Sequence, residues 1–330
     1  MSQRWNLLQS AVLSLSGIMA AGSVSAQTPQ SIHVGWTVPA EEAKWLIMKR
    51  PELFPDYGKA YTIEWSQFQG TPPMSQALMA GALDCATQAP ASFGQAAAAG
   101  NFQGYILGSL AQERSDHFSV FWATKKGSPI KSAADLKGKT VASTVFGGGI
   151  YYYMLIWLKE HGIDPEKDIR LTEIGFPMIE DALKAGRVDL GPFAQPFASR
   201  AEEHDDITKL FSISEVQSPL TDTFEACRKA FVDAHPAAIK AYMNDFKAAT
   251  RYAYAHPDEA RKVTSEITKI DFATLQKYLL TDKDFYRDPN GTPDFASIQK
   301  TFDLFYKNGY LPTHIDVKNY QRLDLTPAAN

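Results

Sequence analysis

The sequence predicts an α/β fold made of two lobes that are joined by two crossover segments. Three observations predict it. Strand-like and helical segments alternate from residue 32 onward, the same alternation starts again near residue 116, and the C-terminal third is mainly helical. Such alternation with short connections is typical of a largely parallel sheet covered by helices. We expect one lobe to comprise residues 27–115 and 219–330, and the other to comprise residues 116–218.

In the first lobe, period-two apolar patterns predict strands and a 3.6-residue period predicts helices. The segment Gly70-Thr71-Pro72-Pro73 is typical of a helix start, because proline is tolerated in the first turn of a helix. The predicted strands are 32–37, 61–68, 85–88 and 103–110, and the predicted helices are 40–50, one that starts at 70–73, and 91–99.

The second lobe repeats this pattern, and the chain then returns to the first lobe. The predicted strands are 117–124, 139–144, 169–174, 188–191 and a return strand at 223–228. The predicted helices are 149–161, 177–186, one that starts near Gln195, 235–255, 257–267, 271–280 and 294–308. The crossovers fall near 112–117 and 217–223, and we expect the C-terminal helices to pack back on the first lobe.

The N-terminus has the features of a secretory signal peptide at residues 1–26. Arg4 supplies a positive charge, residues 7–19 are mainly apolar, and small residues at 24–26 suit cleavage. No later run reaches the ~20 uncharged residues that a spanning helix needs. We therefore expect a chain that is exported to the periplasm and is not anchored by a later segment.

Charge and motif content exclude several classes of protein. The formal net charge is -4, which provides no basic surface for nucleic acid or for a membrane. The serine-hydrolase elbow, the phosphate-binding loop and the zinc-protease motif are all missing, so we expect no catalytic residues, no metal and no cofactor. Cys85 and Cys227 are too few for a disulfide scaffold; they could form one bridge, but the sequence does not show whether they are adjacent.

Four loops lie between predicted strands and helices, and together they predict an anion site. They span 36–39, 69–71, 88–92 and 144–151. Such loops present unpaired N–H groups and the positive end of the helix dipole. Thr71, Ser92 and Thr144 could add hydroxyl groups, Gly147 and Gly148 allow close approach, and Trp36 and Tyr151 could wall an organic ligand. Ordinary turns are the alternative interpretation of each loop taken alone.

Several of these residues also carry a family resemblance, over roughly residues 30–265. Gly70, Ala77-Leu78, Gly81 and Asp84 form one pattern, and Ala89-Pro90 follows it. Residues 128–142 (SPIKSAADLKGKTVA) and 182–189 (ALKAGRVD) add two further segments. Together they resemble the periplasmic solute receptors of the nitrate/sulfonate/taurine class of ABC importers.

The resemblance implies a type II periplasmic-binding-protein fold that closes on a solute and delivers it to a membrane permease powered by a cytoplasmic ATPase. It implies a small organic anion as ligand: a sulfonate, an aromatic or other carboxylate, or a nitrate-like ion. We expect a monomer, because capture of a solute and its presentation to a permease leave the lobes free to move. The ligand-binding positions would be Trp36, Gly70, Thr71, Gln88, Pro90, Ser92, Thr144, Gly147, Gly148 and Gln195. Tyr151 joins them because of its place at a loop–helix start. Residues 193–196 (FAQP) depart from the Trp-x-x-Pro of many relatives, which points to a remodelled pocket wall.

Two alternatives remain open from the sequence. An exported receptor could signal through a membrane kinase, without feeding a permease. An enzyme that forms pyrimidine precursors could use the same fold, but it would need a histidine and an iron. The candidate loops contain no histidine, which argues against the enzyme.

Overall fold

The computed structural model describes residues 28–38, 41–100 and 102–326. The predicted signal peptide, residues 1–26, lies outside the described residues. Among the residues that are described, no helix is both long enough and apolar enough to cross a membrane.

The described chain forms ten strands and eleven α-helices. The strands are β1 Gln30–Trp36, β2 Tyr61–Gln67, β3 Cys85–Gln88, β4 Gly104–Glu113, β5 Phe121–Lys125, β6 Thr140–Ser143, β7 Arg170–Glu173, β8 Gly191–Phe193, β9 Ile207–Ser212 and β10 Leu220–Arg228. The helices are α1 Glu42–Lys49, α2 Thr71–Met79, α3 Pro90–Ala98, α4 Gly149–Glu160, α5 Phe176–Lys184, α6 Phe197–Glu203, α7 Lys229–Ala234, α8 Pro236–Ala255, α9 Pro257–Thr268, α10 Phe272–Gln276 and α11 Phe295–Lys307.

The largest sheet has five strands in the order β2-β1-β3-β10-β4. Strand β1 runs parallel to β2 and β3, whereas β10 runs antiparallel to β3 and β4. Cys85 on β3 lies opposite Cys227 on β10, and the two form a disulfide. The return strand is therefore covalently fixed beside the centre of the sheet, across a sequence separation of 142 residues.

The segment between β4 and β10 forms two smaller sheets. One is antiparallel with the order β8-β5-β9, and the other is the parallel pair β6-β7. An isolated bridge between Val141 and Leu190 joins them. The expectation of mostly parallel strands is wrong for this segment.

Three strands of this segment differ from the sequence-based expectation. Strand β9 was not predicted, because its first four residues, ITKL, are at most partly buried and show no apolar alternation. Strand β8 begins at Gly191, later than predicted. Strand β5 begins only at Phe121, since the Glu113 carboxylate accepts hydrogen bonds from the Ser119 hydroxyl and the Val120 N–H and so bends the preceding segment.

Helices cover the sheets and connect them. Helices α8 and α9 pack against α1 on one face of the large sheet, and α11 packs against α3 on the other. Helix α4 belongs to the middle segment but also packs against α3. Its Tyr153 hydroxyl lies 3.1 Å from the Thr301 hydroxyl of α11, within a hydrophobic cluster that includes Trp122 and Phe302. The large sheet and the middle segment are therefore in direct contact through α4.

Candidate functional site

A cavity of about 430 Å³ lies where the loops after several strands of the large sheet and of the middle segment meet. Its described lining residues are Thr37, Val38, Gln69, Gly70, Thr71, Pro72, Ala89, Pro90, Ala91, Thr144, Val145, Gly148, Gly149, Ile150, Tyr153, Glu173, Gly175, Phe176, Pro177, Gln195, Phe197, Leu220, Thr221, Asp222 and Thr223. Clefts beyond the carboxyl ends of strands are the usual ligand sites of open α/β sheets.

Four helices of nine or more residues, α2 to α5, begin at this cavity. Their N-cap residues are Gly70, Ala89, Gly148 and Gly175, and none of the four makes a side-chain capping hydrogen bond. The first N–H groups of a helix have no partner within the helix, and the N-terminus carries a partial positive charge. The cavity therefore concentrates positive potential and hydrogen-bond donors from the backbone.

At two of these N-cap positions, the backbone conformation does not require a glycine. Gly175 has a φ of -62°, and the φ of 168° at Gly70 is extended backbone that any residue can adopt. A Cβ added at either position would lie 3.8 Å from its nearest neighbouring atom. A residue with a capping side chain would fit sterically and would stabilise the helix. Among the described α-helices, only α11, which starts away from the cavity, has such a cap, because the Asp294 carboxylate accepts from the Ser297 N–H at 2.9 Å. The glycines thus leave the helix starts open toward the cavity.

Besides neutral polar side chains such as Thr71 and Thr144, the lining contains apolar and acidic ones. Phe176 and Phe197 stack with their ring centroids 6.4 Å apart and form an aromatic wall. Of the lining residues that the structure describes, none is Lys, Arg or His, and the charged ones are Glu173 and Asp222. The positive potential in the cavity thus comes from helix starts, while the negative charge comes from carboxylates.

Six of the eleven residues predicted as ligand contacts line the cavity: Gly70, Thr71, Pro90, Thr144, Gly148 and Gln195. The side-chain amide of Gln195 already forms hydrogen bonds within the protein through both its nitrogen and its oxygen. Its Nε2 donates to the Lys283 carbonyl at 2.9 Å, and its Oε1 accepts from the Ser199 N–H at 3.2 Å. Gln195 therefore shapes the wall and has little hydrogen-bonding capacity left for a ligand.

Three predicted contacts of the large-sheet region lie outside the lining because their side chains are used within the protein. Trp36 packs edge-on against Trp45 in the core. The Gln88 side chain is 1% exposed; its amide oxygen accepts from the Ser75 hydroxyl. The Ser92 hydroxyl donates to the Ala89 carbonyl at 3.2 Å.

Two predicted contacts on the loop before α4 also lie outside the lining. Gly147 adopts a φ of 82° in the turn that precedes Gly148, so its role is to allow that turn. Tyr151 lies on another side of α4, where its ring contacts Phe146 and Tyr152. A helix turns by about 100° per residue, which carries residue 151 away from the side of Gly149 and Ile150.

The α5 helix was predicted at 177–186, but neither its start nor the floor of the cavity was predicted to belong to the site. The Gly175-Phe176-Pro177 segment has the same glycine-then-proline signal as the α2 start and could have been identified from it. The floor is formed by Thr221, Asp222 and Thr223 at the start of β10. These residues were assigned to a crossover, because their polar sequence gives no strand signal.

A buried ionic network holds the loop after β1, which lines the cavity. Lys44 Nζ lies 2.9 Å from Glu225 Oε2 and 3.3 Å from Glu41 Oε2, and all three side chains are fully buried. Burial raises the pKa of Glu41 to about 7, and the nearby Lys44 ammonium offsets only part of this rise. The other Glu41 oxygen accepts from the N–H of Thr37, a lining residue, at 3.0 Å. The network therefore fixes the position of the loop after β1.

A second, more open cavity of about 740 Å³ lies along one side of α4, from Tyr151 to Lys159. Its lining includes Tyr151, Tyr152, Lys159 and Tyr310. No described helix N-terminus opens into it, so it lacks the features that make the first cavity suited to an anion.

Two groups of side chains have the composition of a metal site, but neither is suited to bind a metal. In the group of Cys85, Glu225 and Cys227, both sulfurs are in the disulfide. In the group of Glu180, His204 and Asp206, Glu180 is already paired with Lys184 at 2.8 Å. Both groups are therefore structural.

Comparisons with known proteins identify the family and the fold of the chain. The model of the NMT1-like family matches residues 25–268. A putative aliphatic sulfonates-binding protein of Escherichia coli (strain K12) is 22% identical over 315 residues, which cover 95% of each chain.

Two solved structures share the fold. One is the periplasmic aliphatic sulphonate binding protein SsuA from Escherichia coli, with a TM-score of 0.73, 21% identity and coverage of 92% of this chain and 95% of that chain. The other is the alkanesulfonate-binding protein SsuA from Xanthomonas axonopodis pv. citri bound to MOPS, with a TM-score of 0.69, 20% identity and coverage of 90% and 99%. The type II periplasmic-binding-protein fold predicted from the sequence is thus confirmed.

Proposed function

The chain belongs to the NMT1-like family, and from that membership and the cavity we propose that it is the solute-binding component of an ABC importer. Its ligand is a small organic anion, and an organic sulfonate or carboxylate suits the cavity better than a bare inorganic ion does. The sulfonate-binding relatives in Escherichia coli and Xanthomonas support this choice. The permease and the ATPase of the importer are the expected partners.

The convergence of four helix starts, those of α2, α3, α4 and α5, on one cavity is the observation that carries this proposal. Uncapped N–H groups cost free energy unless water or a ligand satisfies them, and an oxyanion satisfies several at once. The apolar wall of Phe176 and Phe197 provides contact for the carbon part of an organic acid.

Capture requires the two lobes to close on the solute. We place lobe one at residues 27–115 and 219–330 and lobe two at residues 116–218, so that α2 and α3 contact the ligand from one lobe and α4 and α5 from the other. A ligand that contacts both lobes binds the closed form more tightly and so increases its population. The two crossovers, near 112–117 and 217–223, are the proposed hinges.

We further propose that residues 1–26 direct export to the periplasm, where the protein acts as a monomer. The Cys85–Cys227 disulfide supports this location, because disulfides persist mainly in oxidising compartments. The cavity lining gives no support to the histidine-dependent enzyme, since none of its described residues is a histidine.

Mass spectrometry of small molecules released from natively purified protein tests the proposal. We expect an organic acid in near-stoichiometric amount, or, if the site is vacated during purification, an increase in the melting temperature when organic acids are added. Conversion of a released or added compound into a product would refute a purely binding role.

A further inference from the structure

The second cavity, which lies along α4 and which the proposed function does not use, has an aromatic and aliphatic wall. The ring centroids of Tyr151 and Tyr152 lie 5.3 Å apart, and the ring of Tyr310 lies 4.6 Å from that of Tyr152. The buried side chains of Leu155 and Ile163 add an aliphatic surface. Three neighbouring tyrosine rings beside such a surface form a wall against which a flat organic molecule can pack.

One hydroxyl group of this wall lacks a partner. The Tyr310 hydroxyl oxygen is buried and forms no hydrogen bond within the described part of the chain. The Tyr152 hydroxyl differs, because it accepts a hydrogen bond from Gln95 Nε2 of α3. Buried polar groups in native proteins are nearly always hydrogen-bonded, so an unpaired hydroxyl in the wall of a cavity indicates that a molecule in the cavity completes it.

The charged side chains of the second cavity balance each other. Lys159 places its Nζ 4.9 Å from the centre of the Tyr310 ring and forms no ion pair with a described residue. Asp164 is already paired with Lys167 at 2.9 Å, so Glu166 is the one unpaired carboxylate of the described lining. One ammonium and one carboxylate leave no net charge, whereas the first cavity combines helix starts that attract an acid. The second cavity therefore suits an uncharged ligand.

We propose that the second cavity is a separate binding site for an uncharged, planar aromatic compound that carries a hydrogen-bond acceptor on its edge. The rings of Tyr151, Tyr152 and Tyr310 pack against the aromatic plane. The Tyr310 hydroxyl and the Lys159 ammonium donate to a carbonyl oxygen on the edge. This site goes beyond the proposed function and does not depend on it, because the two cavities have no described lining residue in common.

Two lactams test the inference by calorimetric titration. 2-Quinolone is uncharged, planar and aromatic, and it has a carbonyl oxygen and an N–H on one edge. Octahydro-2-quinolone has the same lactam edge but no aromatic ring. We expect 2-quinolone to bind the wild type with a Kd below about 1 mM. It should bind about tenfold more tightly than octahydro-2-quinolone, because only the aromatic compound stacks on the tyrosine rings.

A tyrosine-to-phenylalanine pair distinguishes a ligand contact from a structural role. Tyr310→Phe keeps the ring and removes the unpaired hydroxyl, so the variant should melt at the wild-type temperature or above. It should nevertheless bind 2-quinolone about fivefold more weakly, because one hydrogen bond to the ligand is lost. Tyr306→Phe makes the same change at an exposed tyrosine of α11 that does not line the cavity, and it should leave the Kd unchanged.

Three results would each overturn the inference: no binding of 2-quinolone to the wild type, equal affinities for the two lactams, or equal affinities of the wild type and Tyr310→Phe for 2-quinolone. None of these results bears on the proposed function, which concerns organic acids in the first cavity and is tested by the compounds released from the native protein.

Discussion

Lys44 Nζ lies 2.9 Å from Glu225 Oε2, and neither side chain is exposed to solvent. The ammonium also donates to the Gly35 carbonyl and to the Thr87 hydroxyl, so it has a full set of partners. Removing one member of a buried ion pair leaves an uncompensated charge, which costs far more than an exposed pair contributes.

Lys44→Met should therefore lower the free energy of unfolding by about 3–5 kcal/mol at pH 8. The loss should be smaller at pH 5. Burial already raises the pKa values of Glu41 and Glu225, and without Lys44 they rise further, so both groups take up protons as the pH falls. Urea denaturation at the two pH values measures this difference. An equal loss at pH 5 and pH 8 would show that packing, and not charge, accounts for the effect.

Features of the structure that local sequence determines could be predicted, whereas features that depend on tertiary contacts could not. The starts of α2 and α4 are encoded locally by Gly and Pro residues and were predicted closely. The direction of Tyr151 and the internal use of Gln88 and Ser92 depend on tertiary neighbours, which the sequence does not reveal. Asp222 was missed for the same reason, because only the pairing of β10 with β4 places it at the cavity floor.

The Glu113 carboxylate should make stability depend on pH. Its pKa is raised in the folded protein, so its contribution to stability is complete below the unfolded pKa of about 4.5 and is lost as the pH rises toward the folded pKa. Glu113→Gln removes this titration and keeps an oxygen that can accept from Ser119 and Val120. We expect the variant to be more stable than the wild type at pH 8, by up to about 1.4 kcal/mol for each pH unit of raised pKa, and similar near pH 4.5.

Thermal unfolding across pH 4.5–8 checks the Glu113 prediction. Parallel curves for the wild type and Glu113→Gln would mean that this carboxyl does not titrate differently in the folded and unfolded states.

Thr71 and Ser92 provide a matched pair of hydroxyl deletions in the first turns of neighbouring helices. Thr71 lines the cavity, whereas the Ser92 hydroxyl donates to the Ala89 carbonyl. Thr71→Ala should weaken the binding of an organic acid by about 1 kcal/mol, which is roughly fivefold in Kd. Ser92→Ala should change Kd less than twofold. Calorimetric titration of both variants decides the matter, and the reverse ranking would exclude Thr71 as a ligand contact.

The open start of α5 provides the most direct test of the central claim that uncapped helix starts hold an anion. Gly175→Asp introduces a side chain that can cap α5 and that adds a negative charge at the cavity, at a position where a Cβ fits with 3.8 Å clearance. Gly175→Ala is the control, since it adds the Cβ alone. Capping should leave the melting temperature unchanged or slightly higher, which excludes misfolding as the cause of any loss of binding.

The measurement is calorimetric titration of the wild type and both Gly175 variants with 2-aminoethanesulfonate, ethanesulfonate, benzoate and nitrate. We predict that at least one acid binds the wild type, that Gly175→Asp weakens this binding at least tenfold, and that Gly175→Ala weakens it much less. Equal affinity of Gly175→Asp and the wild type, or no binding of any acid to the wild type, would contradict the claim.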